Sequence, residues 1–224
     1  MSLHQINLRA EFKHRYSKAF SEESWSIAEL YYSSLKSYNT EKVKKCTIQV
    51  SDKWQEKEFH YTSFPDHRAI NLTIDFVSYF NADRLEKKKI QLDIIHKGML
   101  LIAEKEDWSI PPLVHAYNHC LSEGLEFKFF VGNKLKSSPD RKRKIGLWCE
   151  WDIDLAKLFW VLFDKNGVEL NRDIIVSFEP SQGETVYYLK WAWMDNKTVC
   201  IQDKYRVSNK WLIDLIDPNE NTIR

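Results

Sequence analysis

Two adjacent stretches hold most of the residues in this sequence whose types and spacing suggest chemistry. The first is basic: Lys134, Lys136, Arg141, Lys142, Arg143 and Lys144 crowd the polar, Pro-containing segment 132–144. Cations spread along such a loop can neutralise phosphates or meet an acidic protein surface, and the plainer expectation is a solvated loop that only opposes aggregation. No aromatic interleaves them, so base stacking is not implied.

The second stretch, Ile145 to Asp154, is acidic along one side and carries Trp148 as a further candidate for partner contact. Read as a strand, 145–154 turns Ile145, Leu147, Cys149, Trp151 and Ile153 to one side and lines Glu150, Asp152 and Asp154 along the other. Side chains two apart on a strand are about 7 Å apart, so neighbouring carboxylates could bridge a magnesium ion. A metal-dependent nuclease or phosphoesterase would use that ion to activate water, with Lys142 or Lys144 stabilising charge. The acid-x-Lys triplets Glu126-Phe127-Lys128 and Asp140-Arg141-Lys142 fit such a site, but a chain with 29% charged residues forms triplets of this kind by chance. A solvent face or a partner contact is the first expectation, and a metal site the second.

His115 and His119 stand one helical turn apart, a spacing that can place two imidazoles on one metal. Position 116 is Ala, where a zincin would carry its Glu base. Helical phase puts Leu113, Ala116, Tyr117, Cys120 and Leu121 on the buried side and both histidines opposite, so a surface pair is expected; His96 is a conceivable third ligand. Cys120 beside His119 is not a thiolate pair, because helix neighbours diverge by about 100°. The four cysteines, at 46, 120, 149 and 200, form no CxxC and read as reduced, mostly buried thiols.

Composition removes several function classes. The glycines at 98, 124, 132, 146, 167 and 183 never cluster, so a GxGxxG turn, a P-loop and a GxSxG elbow are all impossible. With 33 basic and 32 acidic residues the net charge is +1, which gives no global attraction to nucleic acid or to an anionic membrane. No apolar run reaches the ~18 residues of a membrane span, and the opening lacks the apolar core of a signal peptide. The expectation is a soluble, cytoplasmic protein with no membrane contact.

The elements that must carry these residues read as follows. A strand alternates over 4–13, and a helix over 22–37 is capped by Ser21. Three period-two segments, 46–50, 59–61 and 70–76, suggest an antiparallel meander. Helical spacing over 81–107 (Leu85, Leu92, Ile95, Met99, Ile102, with Lys87, Lys88 and Lys89 on the wet side) and over 111–123 predicts a helical hairpin; Ser109 caps its second helix and Gly124 ends it. Candidate strands follow at 125–131, 143–153, 156–163, 172–178, 185–194 and 197–202, with a hairpin turn at 164–167 and a last helix over 208–216.

Strands, then helices, then strands predict an α+β fold: antiparallel β-sheet with a central helical hairpin and strands on both sides of it in sequence. One unit spanning 1–224 is expected, or alternatively subdomains 1–131 and 145–224 joined by the basic loop 132–144. The aromatic excess includes nine Trp, and the run Val186–Met194 is apolar on both faces of a putative strand. It points to a core or an interface, with a partner protein or self-association. The first functional expectation is a non-enzymatic interaction module, with a bacterial immunity-type protein as one concrete form and no cofactor. The alternatives are the magnesium-dependent phosphoesterase and a non-catalytic nucleic-acid binder acting through the basic loop.

Overall fold

A computed structural model describes residues 2–35, 37–54, 61–206 and 209–215. Strands β1 (Gln5–Ala10), β2 (Lys45–Ser51), β3 (Thr62–Phe64) and β4 (His67–Thr73) alternate with helices α1 (Ser17–Glu23), α2 (Trp25–Ser34), α3 (Phe76–Asn81), α4 (Arg84–Glu106) and α5 (Pro111–Ser122). Eight more strands follow: β5 (Phe127–Phe130), β6 (Lys136–Ser137), β7 (Arg143–Trp151), β8 (Ala156–Asp164), β9 (Glu169–Phe178), β10 (Leu189–Trp193), β11 (Thr198–Asp203) and β12 (Lys210–Asp214). The chain is thus α+β, with its helical hairpin α4–α5 between strands on either side in sequence. Its contacts divide into two units, Met1–Phe127 with Trp151–Asp154, and Lys128–Glu150 with Leu155–Arg224.

The first unit is a sheet of order β1-β2-β4-β3 with helices packed on one face. Its apolar side carries Ile6, Leu8, Cys46, Ile48, Val50, Ile70 and Leu72, and Leu92, Ile95, Met99 and Ile102 of α4 are fully buried. At Gly98 α4 lies against the sheet so tightly that a Cβ would run into Ile48 Cγ1. The expected meander is absent. β1 pairs with β2, and β2 with β4, in parallel; among the described residues of this sheet, the β3–β4 hairpin is the one antiparallel strand pair. Period-two alternation reports which face is buried and carries no information on strand direction, which for β1 and β2 is set by the α1–α2 crossover.

Three further expectations for this unit change. The helix expected over 22–37 is two helices that meet at Ser24, whose hydroxyl donates to the Leu8 carbonyl at 2.7 Å. α4 begins under an Asp83 cap that accepts from the Glu86 amide at 2.9 Å, but its first turn does not follow the expected stripe: Leu85 is exposed and Lys88 is buried. Ile110, rather than Ser109, precedes α5, and Pro111 occupies its first turn. Gly124 follows the helix at φ 65°, as its position in the sequence suggests.

Among its described residues the second unit is all β apart from two 3-10 segments. One sheet runs β5-β7-β8-β9, with β6 paired antiparallel to β7; the other is β10-β11-β12, also antiparallel. The turn after β8 is held by Asp164, whose Oδ1 accepts from the Asn166 and Val168 amides at 2.8 Å each, with Gly167 at φ 91°. The outer strand β9 is exposed along most of its length, and two register shifts against β8 disrupt its ladder, a device that discourages edge-to-edge pairing.

The run 186–194 is not one strand with two apolar faces. Pro180–Tyr188 is 3-10, and within β10 Trp191 is buried while Lys190 and Ala192 are exposed. Lys210–Asp214 forms a strand where a helix was expected; Ser208, its expected cap, and Phe59 of the middle period-two segment lie outside the described residues. Among the described residues, no helix is long and apolar enough to cross a membrane.

Candidate functional site

The basic segment is a hairpin within the second unit. Lys136 and Ser137 pair with Ile145 and Lys144, and the turn is tied by Ser138, whose Oγ donates to Asp140 Oδ1 at 2.6 Å and accepts from the Arg143 amide at 3.1 Å. The Ser138 hydroxyl and then the Lys142 amide hold the Asp140 carboxyl below the ordinary carboxylate range. Arg141 takes up φ 59° at the tip. The Ser-x-Asp spacing that closes the turn is readable in the sequence as a side chain able to bond its own backbone.

Two of the six cations are consumed in fixing this hairpin to β10. Lys136 Nζ lies 4.8 Å from the centroid of the Trp191 ring and donates to the Trp191 carbonyl, and Trp193 Nε1 donates back to the Lys136 carbonyl at 2.8 Å. The Arg143 guanidinium stands 6.0 Å from the Trp193 ring centroid and donates to the Asn196 carbonyl, while Asn196 Oδ1 accepts from the Asp140 amide at 3.0 Å. Lys134, Arg141 and Lys142 are exposed and Lys144 is half-buried; none of the four makes an ion pair among the described residues. Nothing in the sequence of the segment pointed to Trp191 or Trp193, some 50 residues away.

The acidic stretch does not form a row. β7 ends at Trp151, so Glu150 alone of the three carboxylates stands on the strand. In the second unit Glu150 accepts from Trp148 Nε1 at 3.2 Å, and Trp148 packs edge-on to Phe130 at 4.8 Å with the Arg172 guanidinium 5.9 Å from its ring. In the first unit Asp152 meets Lys88 Nζ at 2.7 Å and Arg84 at 2.5 Å, and Asp154 meets the same guanidinium at 3.2 Å.

Burial works against the Asp152 carboxylate, but hydrogen bonds from Lys88, the Ile153 amide and Arg84 together hold its carboxyl below the ordinary value. Its charge is therefore matched by protein cations. The sequence did carry a signal for this partner: Lys88 lies four residues before Leu92 on the buried stripe of α4, so helical phase alone turns it inward.

The remaining candidates are apart from these. His115 and His119 stack at 6.4 Å on the outer side of α5, with His119 3.7 Å from Glu123. His96 lies 3.0 Å through Nδ1 from the Tyr31 hydroxyl, which itself donates to the Leu113 carbonyl, and its ring stacks on Tyr117. Among the described residues no three His, Cys, Asp or Glu side chains are arranged to hold a metal ion. Burial pushes the thiols of Cys46 and Cys149 up to about 12 and that of Cys120 to about 11, so these three are not thiolates at neutral pH.

No family model, curated protein or solved structure matches this chain. The arrangement itself therefore has to support any reading of function: a braced hairpin whose Lys134, Arg141 and Lys142 are exposed, and two carboxylates, Asp152 and Asp154, already met by Arg84 and Lys88.

Proposed function

We propose that this chain is a non-catalytic binding module whose basic hairpin receives an acidic surface of a protein partner. The observation that carries the reading is the division of labour among the cations. Lys136 and Arg143 are spent on Trp191 and Trp193, which braces the hairpin, and Lys134, Arg141 and Lys142 are left exposed. A braced loop gives up little conformational freedom on binding, so its charges act on encounter rate and register without a large ordering penalty. An immunity protein that neutralises a toxin in the cytoplasm is one binder of this kind. A protein surface is favoured over nucleic acid because residues 137–142 contain no aromatic on which a base could stack.

The test is binding to fluorescent poly-L-glutamate and to an oligothymidylate of similar charge, at low and moderate salt. The reading predicts tighter binding of the polypeptide. It also predicts that Lys134→Ala/Arg141→Ala/Lys142→Ala weakens that binding by about 10- to 100-fold, at about 0.5–1 kcal/mol per exposed contact. Equal binding by the triple variant overturns the reading, and a preference for the oligonucleotide transfers the hairpin to nucleic acid.

A further inference from the structure

Among the described residues β12 ends the sheet β10-β11-β12 of the second unit. The ladder to β11 decides which of its backbone groups are free. The Leu215 amide donates to the Lys197 carbonyl at 2.8 Å and the Asp203 amide to the Asn209 carbonyl at 3.0 Å, so the odd-numbered residues of β12 form the hydrogen-bonded pairs. In an antiparallel ladder the alternate residues turn their amides and carbonyls the other way. Lys210, Leu212 and Asp214 therefore present theirs to the outer edge, where none of these groups finds a partner among the described residues.

The three edge-facing residues are all exposed, Leu212 by 60%. Pairing with β11 runs through Lys210–Asp214 without the register shifts that break up the outer strand β9. The side chains alternate as a strand requires. Trp211 and Ile213 are half-buried opposite Ile201 and Val199, whereas Lys210, Leu212 and Asp214 stand on the other face, opposite Gln202, Cys200 and Thr198.

The order of residues along this edge, Lys-Trp-Leu-Ile-Asp, is complementary to itself. With a second β12 laid antiparallel on a two-fold axis through Leu212, Lys210 meets the second copy's Asp214, Trp211 meets its Ile213, and the two Leu212 face each other. Opposite charges and an aromatic against a β-branched residue are cross-strand combinations that stabilise a ladder. A slip of two residues either way would set Leu212 against a charge, and a parallel arrangement would set Lys210 on Lys210. A lone edge lysine opposes pairing, but here an aspartate four residues on answers it. Lys210 forms no ion pair among the described residues, and Asp214 accepts from Thr198 Oγ1 at 3.2 Å through Oδ1, with Oδ2 unpartnered there.

We infer that β12 is the interface of a two-fold dimer of this chain, in which a second copy continues the sheet β10-β11-β12 across its open edge. Lys210, Leu212 and Asp214 of each copy face Asp214, Leu212 and Lys210 of the other, each pair exchanging two N–H···O bonds. The same patch serves both copies, so the contact closes on itself. A stable interface engages about 20–30 residues a side; the short strand Lys210–Asp214 falls below that, so the dimer dissociates on dilution. The basic hairpin braces on β10, on the other side of β11, and either site can fail without the other.

The experiment is sedimentation velocity of the full chain over a concentration series, with Lys210→Asp, Asp214→Lys and the exchange Lys210→Asp/Asp214→Lys. The parent should pass from monomer to dimer as concentration rises. Each single variant sets like charges in both outer pairs and should dissociate about tenfold more readily, whereas the exchange restores both pairs and should return to within about threefold of the parent. An equimolar mixture of the two single variants should associate where neither does alone, which also shows that both fold. On the unaltered protein, amide exchange at Lys210, Leu212 and Asp214 should slow with concentration, while Trp211 and Ile213, already bonded to β11, change little. A parent that stays monomeric at its highest soluble concentration overturns the inference, as does a mixture that fails to associate or a dimer indifferent to charge reversal. A dimer lost in Lys134→Ala/Arg141→Ala/Lys142→Ala overturns it too, by assigning the contact to the hairpin.

Discussion

Asp152→Asn should uncover a cost that the surface charge pattern conceals. Lys88 Nζ lies 2.7 Å from Asp152 Oδ2, with side-chain exposures of 7% and 22% respectively. Breaking a fully buried ion pair by removing one partner costs about 3–5 kcal/mol. Asp152 is only partly buried and Arg84, 56% exposed, can turn to water, so a loss of about 2–3 kcal/mol is expected. Lys88→Met removes the buried ammonium, keeps the packing of the stem and leaves Asp152 to Arg84, so about 1 kcal/mol or less is expected. The double variant should resemble Lys88→Met, which gives a coupling of about 2–3 kcal/mol.

All five α-helices among the described residues belong to the first unit, so urea unfolding followed by circular dichroism at 222 nm reports on it. The pH dependence has a defined sign. The Asp152 carboxyl is lowered in the fold relative to about 3.9 when unfolded. Its contribution is present at neutral pH and disappears as pH falls through the lowered value, so the gap between parent and Asp152→Asn should close below about pH 4. An Asp152→Asn protein within about 0.5 kcal/mol of the parent at pH 7, with no coupling to Lys88, would refute the buried pair.

Other consequences can be measured separately. Gly98→Ala should destabilise the first unit by about 1–3 kcal/mol despite the better helix propensity of Ala, because the new Cβ meets Ile48 Cγ1; favourable coupling with Ile48→Ala in a double-mutant cycle checks the cause. Trp193→Phe removes the 2.8 Å bond to the Lys136 carbonyl and should cost about 1 kcal/mol, with faster amide exchange at Ser138 and Arg143; unchanged exchange would show that the hairpin is not braced there. In the native protein at pH 8, Cys200, half-buried, should react first with a thiol reagent, while Cys46, Cys120 and Cys149 react only on unfolding. Persistence of the fast reaction in Cys200→Ser would contradict this.

The elements themselves were largely legible, because burial imprints its period on the chain: Leu92, Ile95, Met99 and Ile102 announce α4, and Asp164 to Gly167 announce the β8–β9 turn. What the pattern cannot carry is pairing. Ile48 and Ile70 alternate in the same way whether their strands run parallel or antiparallel, so the expected meander gave way to a parallel sheet. Short, mixed segments were ambiguous for a related reason: 210–214 exposes alternate residues on a three-stranded sheet but is brief enough to pass for a helical turn.

The candidate site was legible as charge and illegible as partnership. The run 134–144 named its own cations, yet which of them are spent depends on Trp191 and Trp193, brought near only by the fold. The carboxylates at 150, 152 and 154 looked like a row because a strand was assumed to continue past Trp151, and the end of β7 sends them to different neighbours.

The most direct test of the proposed role is amide hydrogen exchange across the full chain with and without saturating poly-L-glutamate. If the braced basic hairpin receives an acidic protein surface, protection should appear at residues 137–144 and fade as salt is raised. Binding that leaves those amides unprotected, or protection centred elsewhere in the chain, would contradict the account.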